Sequence, residues 1–301
     1  MSKVALLTGI TGFIGRNLAN ELLDHGWEIH AIVREESNLS NLGNIKDNCF
    51  FHTHDGSIEN MISIHKKLKI DVVFHLASLY LANHKVEEVS ELITSNIQFS
   101  TQLLEGMLEG GSKKIINVGS YAQHDDSEEF YPFNLYASTK EAFQNILYFY
   151  HLAHGFSCLT LKLYDTYGPD DTRGKLINLI TESILEGSDL KLSEGDQLIN
   201  VSHVNDIVKH FLKAEEYLSS LSKPSWEIFF LDGESFTVKE LVLKLEKIIG
   251  KKFQGQLGGR PYRKREIMSP VRPKNTLPWN DECSKITIRE GITELISLRD
   301  G

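Results

Sequence analysis

The sequence predicts an α/β protein built on a doubly wound parallel sheet, followed by a smaller α/β lobe. Two features carry this reading. In the first half of the chain, short apolar runs alternate with helix-period segments, the rhythm of repeated strand–helix–strand units. The runs are also continuous rather than alternating, as in Asp71-Val72-Val73-Phe74-His75-Leu76, which suits strands covered by helices on both faces.

Taken in order, strands are expected at Val4–Thr8, Glu28–Val33, Val72–His75, Lys114–Val118 and Ser157–Leu163. Helices are expected at Ile14–His25, Glu88–Gly106, Leu135–His154 and Gly174–Glu186. Beyond about residue 165 the rhythm weakens and charged residues and glycine become more frequent. Residues 1–165 therefore read as the sheet domain and 166–301 mainly as a substrate-binding lobe. Residues 200–223 return to the first domain through a helix at Val204–Leu218. Residues 165–200 and 224–280 read as the insertions that build the lobe, and Lys251–Arg265 as its most loop-like part.

A chain of 301 residues with 41 % hydrophobic residues can bury a core without disulfides or metals. Its net charge of −9 argues against a nucleic-acid partner, because phosphate neutralisation needs a basic surface. Cys49, Cys158 and Cys283 are odd in number and far apart, which predicts no disulfide framework and a reducing, cytoplasmic setting. Val4–Leu7 follows Lys3 but is too short for a signal peptide, and no run is long enough to span a bilayer. The twelve histidines show no ligand spacing, so no metal is expected. A Gly-x-Ser-x-Gly motif is absent, which leaves an acyl hydrolase without support.

Thr8-Gly9-Ile10-Thr11-Gly12-Phe13-Ile14-Gly15 joins the first strand to the first helix. Gly9 permits the tight turn, Gly12 lets the backbone approach a pyrophosphate, and Gly15 lets helix and strand pack closely. Thr11, Phe13 and Ile14 belong to the same loop, at a helix N-terminus whose free N–H groups and dipole favour phosphate. This is the dinucleotide-binding pattern of a Rossmann sheet. Arg34 stands about twenty residues further on, where such folds meet the adenosine ribose. An arginine there suits the 2′-phosphate of NADP; Glu35 and Glu36 follow and leave NAD open.

Tyr136-Ala137-Ser138-Thr139-Lys140 opens a helical pattern, so Tyr136 and Lys140 share one helix face. An ammonium one turn from a phenol stabilises its phenolate and lowers its pKa, fitting the tyrosine for proton transfer to or from a carbonyl or alcohol oxygen. Ser120 follows the strand Lys114–Val118 and would hydrogen-bond the same oxygen.

With the Phe74-His75-Leu76-Ala77-Ser78 strand end, these motifs resemble the extended short-chain dehydrogenases/reductases that act on nucleotide sugars as epimerases, dehydratases and reductases. The resemblance covers nearly the whole chain, through Leu161-Lys162-Leu163-Tyr164-Asp165-Thr166-Tyr167-Gly168-Pro169, Gly195-Asp196-Gln197 and Val204-Asn205-Asp206. Within that family the chain is most similar to 4-ketoreductases of the CDP-abequose and CDP-paratose synthase kind. The resemblance implies that Asp55, beside Gly56, contacts the adenine and that Leu76 and Ala77 line the cofactor with their backbone. It also implies, on the cofactor side, that Asn96 braces the active site from its helix and that Tyr164 sits near the nicotinamide. Ser78, Tyr121, Asp165 and Arg263 would stand at the substrate side. It further implies a homodimer paired through the helices around Asn96–Leu108 and Lys140–Tyr150.

Three departures shape the expected reaction. Tyr121-Ala122 replaces the acidic pair of the dehydratases, which disfavours 4,6-dehydration. Asp165 stands where many members carry asparagine, a carboxylate that would repel a diphosphate unless paired. Ile199-Asn200 replaces an Arg-Asp pair, and Arg260, Arg263 and Arg265 are candidates to compensate. The expected activity is NADP(H)-dependent reduction of a 4-keto deoxy nucleotide sugar. A nucleotide-sugar 4-epimerase, a reductase of a non-nucleotide carbonyl and a non-catalytic dinucleotide binder are the alternatives.

Overall fold

The computed structural model describes residues 2–273, 277–283 and 285–299. The chain begins β1 (Val4–Thr8), α1 (Phe13–Asp24), β2 (Glu28–Arg34), α2 (Ile45–Asn48), β3 (Phe50–His54), α3 (Ile58–Lys66) and β4 (Val72–His75). Then come α4 (Val89–Ile93), a π-helical turn (Thr94–Gln98), α5 (Phe99–Gly110), β5 (Lys114–Ser120), α6 (Leu135–His154) and β6 (Ser157–Leu163). The remainder is β7 (Asp165–Tyr167), α7 (Leu176–Glu186), β8 (Leu198–His203), α8 (Val204–Ser220), β9 (Trp226–Leu231), β10 (Glu234–Thr237), α9 (Val238–Ile249) and α10 (Ile288–Arg299).

Seven strands form the main sheet in the order β3-β2-β1-β4-β5-β6-β9, and every neighbouring pair is parallel. The chain reverses its winding between β1 and β4, the place where ligands enter sheets of this kind. Both faces are buried. Leu7, Phe74, Ile116, Leu159 and Leu161 pack beneath α1 and α8, while Leu6, Val73, Ile115 and Cys158 pack beneath α3, α5 and α6.

β7, β8 and β10 form a second sheet of three strands. Ile199 and Phe236 of this sheet share a core with Ile177, Ile180 and Ile184 of α7, Leu241 and Leu245 of α9, and Ile292 of α10. Caps set the ends of these elements. Asn134 accepts the Ala137 N–H at 2.9 Å to start α6, and Gly155 ends it in the left-handed region. Thr237 and Glu240 close a reciprocal capping box on α9. No helix among the described residues is long and apolar enough to cross a membrane.

The structure departs from the sequence expectation in four places. Trp226–Leu231, assigned to the lobe with residues 224–280, is the edge strand of the main sheet, paired with β6 from Cys158↔Trp226 to Leu163↔Leu231. Trp279 also returns to that domain, donating to His210 Nδ1 at 3.0 Å and packing on Phe229. The helix expected over Glu88–Gly106 is interrupted by the π turn and runs on to Gly110. β3 was not expected at all.

α1 lies so close to the loop before it that a Cβ at Gly15 would stand 2.1 Å from the Gly9 carbonyl oxygen. Gly15→Ala is expected to destabilise the ligand-free protein by about 1–3 kcal/mol, the usual cost of overpacking. A thermal unfolding midpoint equal to that of the wild type would refute this reading of the contact.

Candidate active site

The crevice at the carboxyl ends of β1, β4 and β5 is built first from backbone. Gly9 has φ +76°, and a Cβ on it would meet Ala77 N at 2.7 Å, so the β1 turn presses against the end of β4. Below this contact runs a buried chain. Ala77 N–H donates to Thr8 Oγ1 at 3.2 Å, Thr8 Oγ1 meets His75 Nδ1 at 2.8 Å, and His75 Nε2 meets Ser100 Oγ at 2.9 Å. Either neutral tautomer of His75 satisfies all three links, because each hydroxyl can both donate and accept. Burial, with a smaller effect from Lys140, pushes His75 down to about 3, so the chain is neutral. Leu76 and Ala77 are thereby held with their backbone against the glycine turn.

Gly12 is the N-cap of α1, whose first turn carries no side-chain cap and no acidic residue. Those N–H groups suit a phosphate. Thr11 is half-buried in the loop, whereas Phe13 and Ile14 pack their side chains toward the core, leaving only backbone for a ligand. Arg173 roofs the Phe13 ring at 4.3 Å and donates to the Thr166 carbonyl at 2.7 Å. Arg16 donates to the Asp170 carbonyl, tying residues 170–173 to α1.

Arg34 is exposed at the end of β2, with its Nε 3.1 Å from Glu36 Oε1. Asp55 is exposed too. Its Oδ1 accepts the Ser57 N–H at 2.8 Å and hydroxyl at 2.6 Å, and the Ser57 hydroxyl bond leads the lowering of its pKa. Gly56, at φ +91°, turns its carbonyl to Gln102 at 2.9 Å.

Tyr136 and Lys140 are both buried on the inner face of α6. Tyr80 stands edge-on to the Tyr136 ring at 4.9 Å and carries the Lys175 ammonium over its own ring at 4.2 Å. Burial raises the phenol to about 12, against a smaller opposing effect of a Ser78 hydrogen bond. This corrects the expectation of a lysine-lowered phenol: in the ligand-free protein desolvation dominates, and Tyr136 rests protonated. Burial also takes Lys140 from the ordinary 10.5 down to about 8. Ser120 ends β5, half-buried beside the turn Tyr121–Gln123.

Three further residues are held by partners within the protein. Asn96, in the π turn, accepts the Leu79 N–H at 2.7 Å and donates to the Leu79 carbonyl at 3.0 Å and to Thr139 Oγ1 at 2.9 Å. Both amide protons are engaged, so Asn96 braces the loop after β4 against α6. Tyr164 stacks on Tyr121 at 5.2 Å and gives its hydroxyl to the Val271 carbonyl, so it belongs to the wall below the substrate side. Ser78 hydrogen-bonds the Tyr136 phenol.

The other substrate-side candidates converge. Asp165 Oδ1 lies 3.7 Å from Lys175 Nζ, which supplies the pairing that the carboxylate needs. Asp165 is also the leading influence holding the Tyr121 phenol well above its ordinary range, while Arg263 acts the other way. Arg263 is exposed over the Phe133 ring at 5.7 Å, and Arg265 over Tyr131 at 4.4 Å. Ile199 lies in the lobe core, and Asn200 binds Asp232, Ser235 and the Gly233 N–H, so neither reaches a ligand. Thr8, Tyr80 and Lys175 were not singled out in the sequence; only Thr8, at a strand end before the glycine loop, carried a positional signal.

The model of the NAD dependent epimerase/dehydratase family matches residues 5–228 of the chain. CDP-abequose synthase of Yersinia pseudotuberculosis is 27 % identical over 269 residues, covering 88 % of this chain and 90 % of that protein. UDP-glucose 4-epimerase of Thermotoga maritima, solved with UDP-glucose, superposes with a TM-score of 0.83 at 23 % identity, over 99 % of both chains. UDP-glucose 4-epimerase of Thermus thermophilus, solved in complex with NAD, superposes with a TM-score of 0.81 at 22 % identity, again over 99 % of both.

The buried lysine sets a pH test. A lysine depressed to about 8 in the fold, against 10.5 outside it, binds fewer protons folded than unfolded between those values. The folded state is therefore penalised in full below pH 8, and the penalty fades as pH rises toward 10.5. Lys140→Met is expected to raise ligand-free stability at pH 7 by on the order of 2–3 kcal/mol, with the gain vanishing in alkali. Unfolding midpoints measured across pH check this; a variant less stable at pH 7 would contradict it.

Proposed function

The chain belongs to the NAD dependent epimerase/dehydratase family, as an enzyme of the extended short-chain dehydrogenase/reductase type acting on nucleotide sugars, and from this premise we propose that it reduces a 4-keto deoxy nucleotide sugar with NADP(H). The observation that carries the reading is the buried, protonated Tyr136 beside Lys140 at the crevice mouth. A phenol held protonated is poised to give a proton, as ketone reduction requires.

Residues Gly9–Gly15 and the first turn of α1 hold the dinucleotide diphosphate, and Leu76 and Ala77 line it with backbone. When bound, the nicotinamide supplies hydride to the sugar carbonyl carbon. Tyr136 gives its proton to the carbonyl oxygen as charge develops there. Lys140 stabilises the phenolate left behind and holds the nicotinamide ribose. Ser120 donates a hydrogen bond to the same oxygen. Tyr121, Asp165, Lys175 and Arg263 surround the sugar diphosphate, the two cations meeting its charge. Arg34 takes the 2′-phosphate after leaving Glu36. Tyr121-Ala122 offers no acid–base pair for elimination, which speaks against a dehydratase.

A 4-epimerase uses the same residues, and the likeness to UDP-glucose 4-epimerases keeps it as the second reading. The two differ in how they keep the dinucleotide. A reductase exchanges it and purifies without it, whereas an epimerase retains and regenerates it. We also propose a cytoplasmic homodimer paired through α5 and α6.

Thermal shifts with NADPH, NADH and the diphosphates of uridine, cytidine, guanosine and thymidine are expected to show NADPH preferred and one nucleotide singled out. Arg34→Ala should weaken NADPH about tenfold while sparing NADH, the scale of one charge-assisted hydrogen bond. Tyr136→Phe should bind both ligands and lose at least about a hundredfold in kcat. Indifference to every nucleoside diphosphate would move the substrate to a non-nucleotide carbonyl, and wild-type turnover by Tyr136→Phe would remove the assigned acid.

A further inference from the structure

The end of β5 is locked from behind. Ser120 Oγ accepts the Ala122 N–H at 3.2 Å, while the Ser120 N–H donates to Gln123 Oε1 at 2.8 Å. The two bonds form a reciprocal capping box around the turn Tyr121–Gln123. Because Oγ accepts from backbone, its own proton is left to point elsewhere, and among the described residues it has no acceptor. A hydroxyl held in this way keeps its proton available to donate to an oxygen brought beside it.

What fixes Gln123 lies on α6. Gln123 is fully buried, and its Nε2 donates to Glu141 Oε2 at 2.6 Å. An amide with an N–H donor on one side and a carboxylate on the other has a single satisfied orientation; flipped, it sets oxygen against carboxylate and nitrogen against N–H. Glu141 is in turn 3.9 Å from the ammonium of Lys162, which is 2 % exposed in β6. Lys162 donates to His124 Nε2 at 2.5 Å, and His124 Nδ1 donates to the Glu129 carbonyl at 2.9 Å. Gly119 makes room for this, since a Cβ there would stand 2.8 Å from Lys162 Cγ and 3.1 Å from Gln123 Oε1.

We infer that Gln123, oriented by Glu141, is a positioning residue that makes Ser120 a hydrogen-bond donor and sets its register against Tyr136 and Lys140. Glu141 follows Lys140 in sequence, so one turn of α6 carries both the lysine at the crevice and the carboxylate that anchors the opposite wall. The inference rests on the role assigned to Ser120 under the proposed function.

The test compares Gln123→Leu, the exchanged pair Gln123→Glu with Glu141→Gln, and each in a Ser120→Ala background. The exchanged pair keeps an acceptor for the Ser120 N–H and a donor–acceptor link to α6. Gln123→Leu is expected to lower kcat about tenfold with KM little changed, and the exchanged pair to recover most of the loss. In the Ser120→Ala background the Gln123 effect should vanish, the sign of residues acting as one unit. Equal losses in both backgrounds would overturn the inference. Hydrogen exchange at the Ser120 amide gives a readout that needs no turnover. Protection lost in Gln123→Leu and restored in the exchanged pair supports the lock, and unchanged protection overturns it. A wild-type protein that turns over no 4-keto nucleotide sugar would instead refute the proposed function, leaving the exchange result to decide the lock by itself. Glu141→Ala breaks the same link and replaces Gln123→Leu if the latter does not fold.

Discussion

Everything in this molecule depends on seven strands running in one direction. A wholly parallel sheet sends every strand's carboxyl end to the same edge, so the glycine turn after β1, the Leu76-Ala77 backbone after β4 and Ser120 at the end of β5 are neighbours by topology. The same arrangement demands helices on both faces. α6, which covers one of them, delivers Tyr136 and Lys140 to that edge without leaving regular structure. A rigid helix on a packed sheet places proton donor and ammonium more firmly than a loop would.

This placement works against the stability of the fold. Lys140 is an ammonium taken out of water, and Tyr136 a phenol whose ionised form is disfavoured by the same burial. The neutral Thr8–His75–Ser100 chain beneath them adds no compensating charge. Such a site keeps its proton inventory fixed until a ligand changes the local charge, which is the condition for one defined proton transfer.

The sequence made legible whatever repeats or sits at a fixed offset. The inner strands β1, β4 and β6 were readable to the residue because they are buried on both faces and carry dense apolar runs, Lys162 of β6 being the charged exception. β3 was not, since Phe50-Phe51-His52-Thr53-His54 lies at the sheet edge with Phe50 exposed and carries little apolar continuity. β9 was attributed to the lobe because its partner β6 lies more than sixty residues earlier, and no local pattern announces such a pairing. The site divides the same way. Gly9, Gly12, Gly15, Tyr136 and Lys140 follow local spacings tied to helix and turn geometry, and Ser120 follows a strand end. Asn96 was read as a brace only by resemblance, because its partners Leu79 and Thr139 come from two other elements and leave no local signal. Tyr80 and Lys175 meet only in three dimensions.

The joints between the main sheet and the lobe are unusually short. Tyr164 alone separates β6 from β7, nothing separates β8 from α8, and Asp232 and Gly233 alone separate β9 from β10. Asn200 clamps the last of these joints, binding both the Asp232 side chain and the Gly233 N–H. Three crossings this tight leave only a few residues on which any turn of the lobe could act, among them Tyr164, stacked on Tyr121, and Asp232 and Gly233, held by Asn200. A change in the lobe would therefore be passed directly to the carboxyl ends of β6 and β9, the strands that it leaves and rejoins.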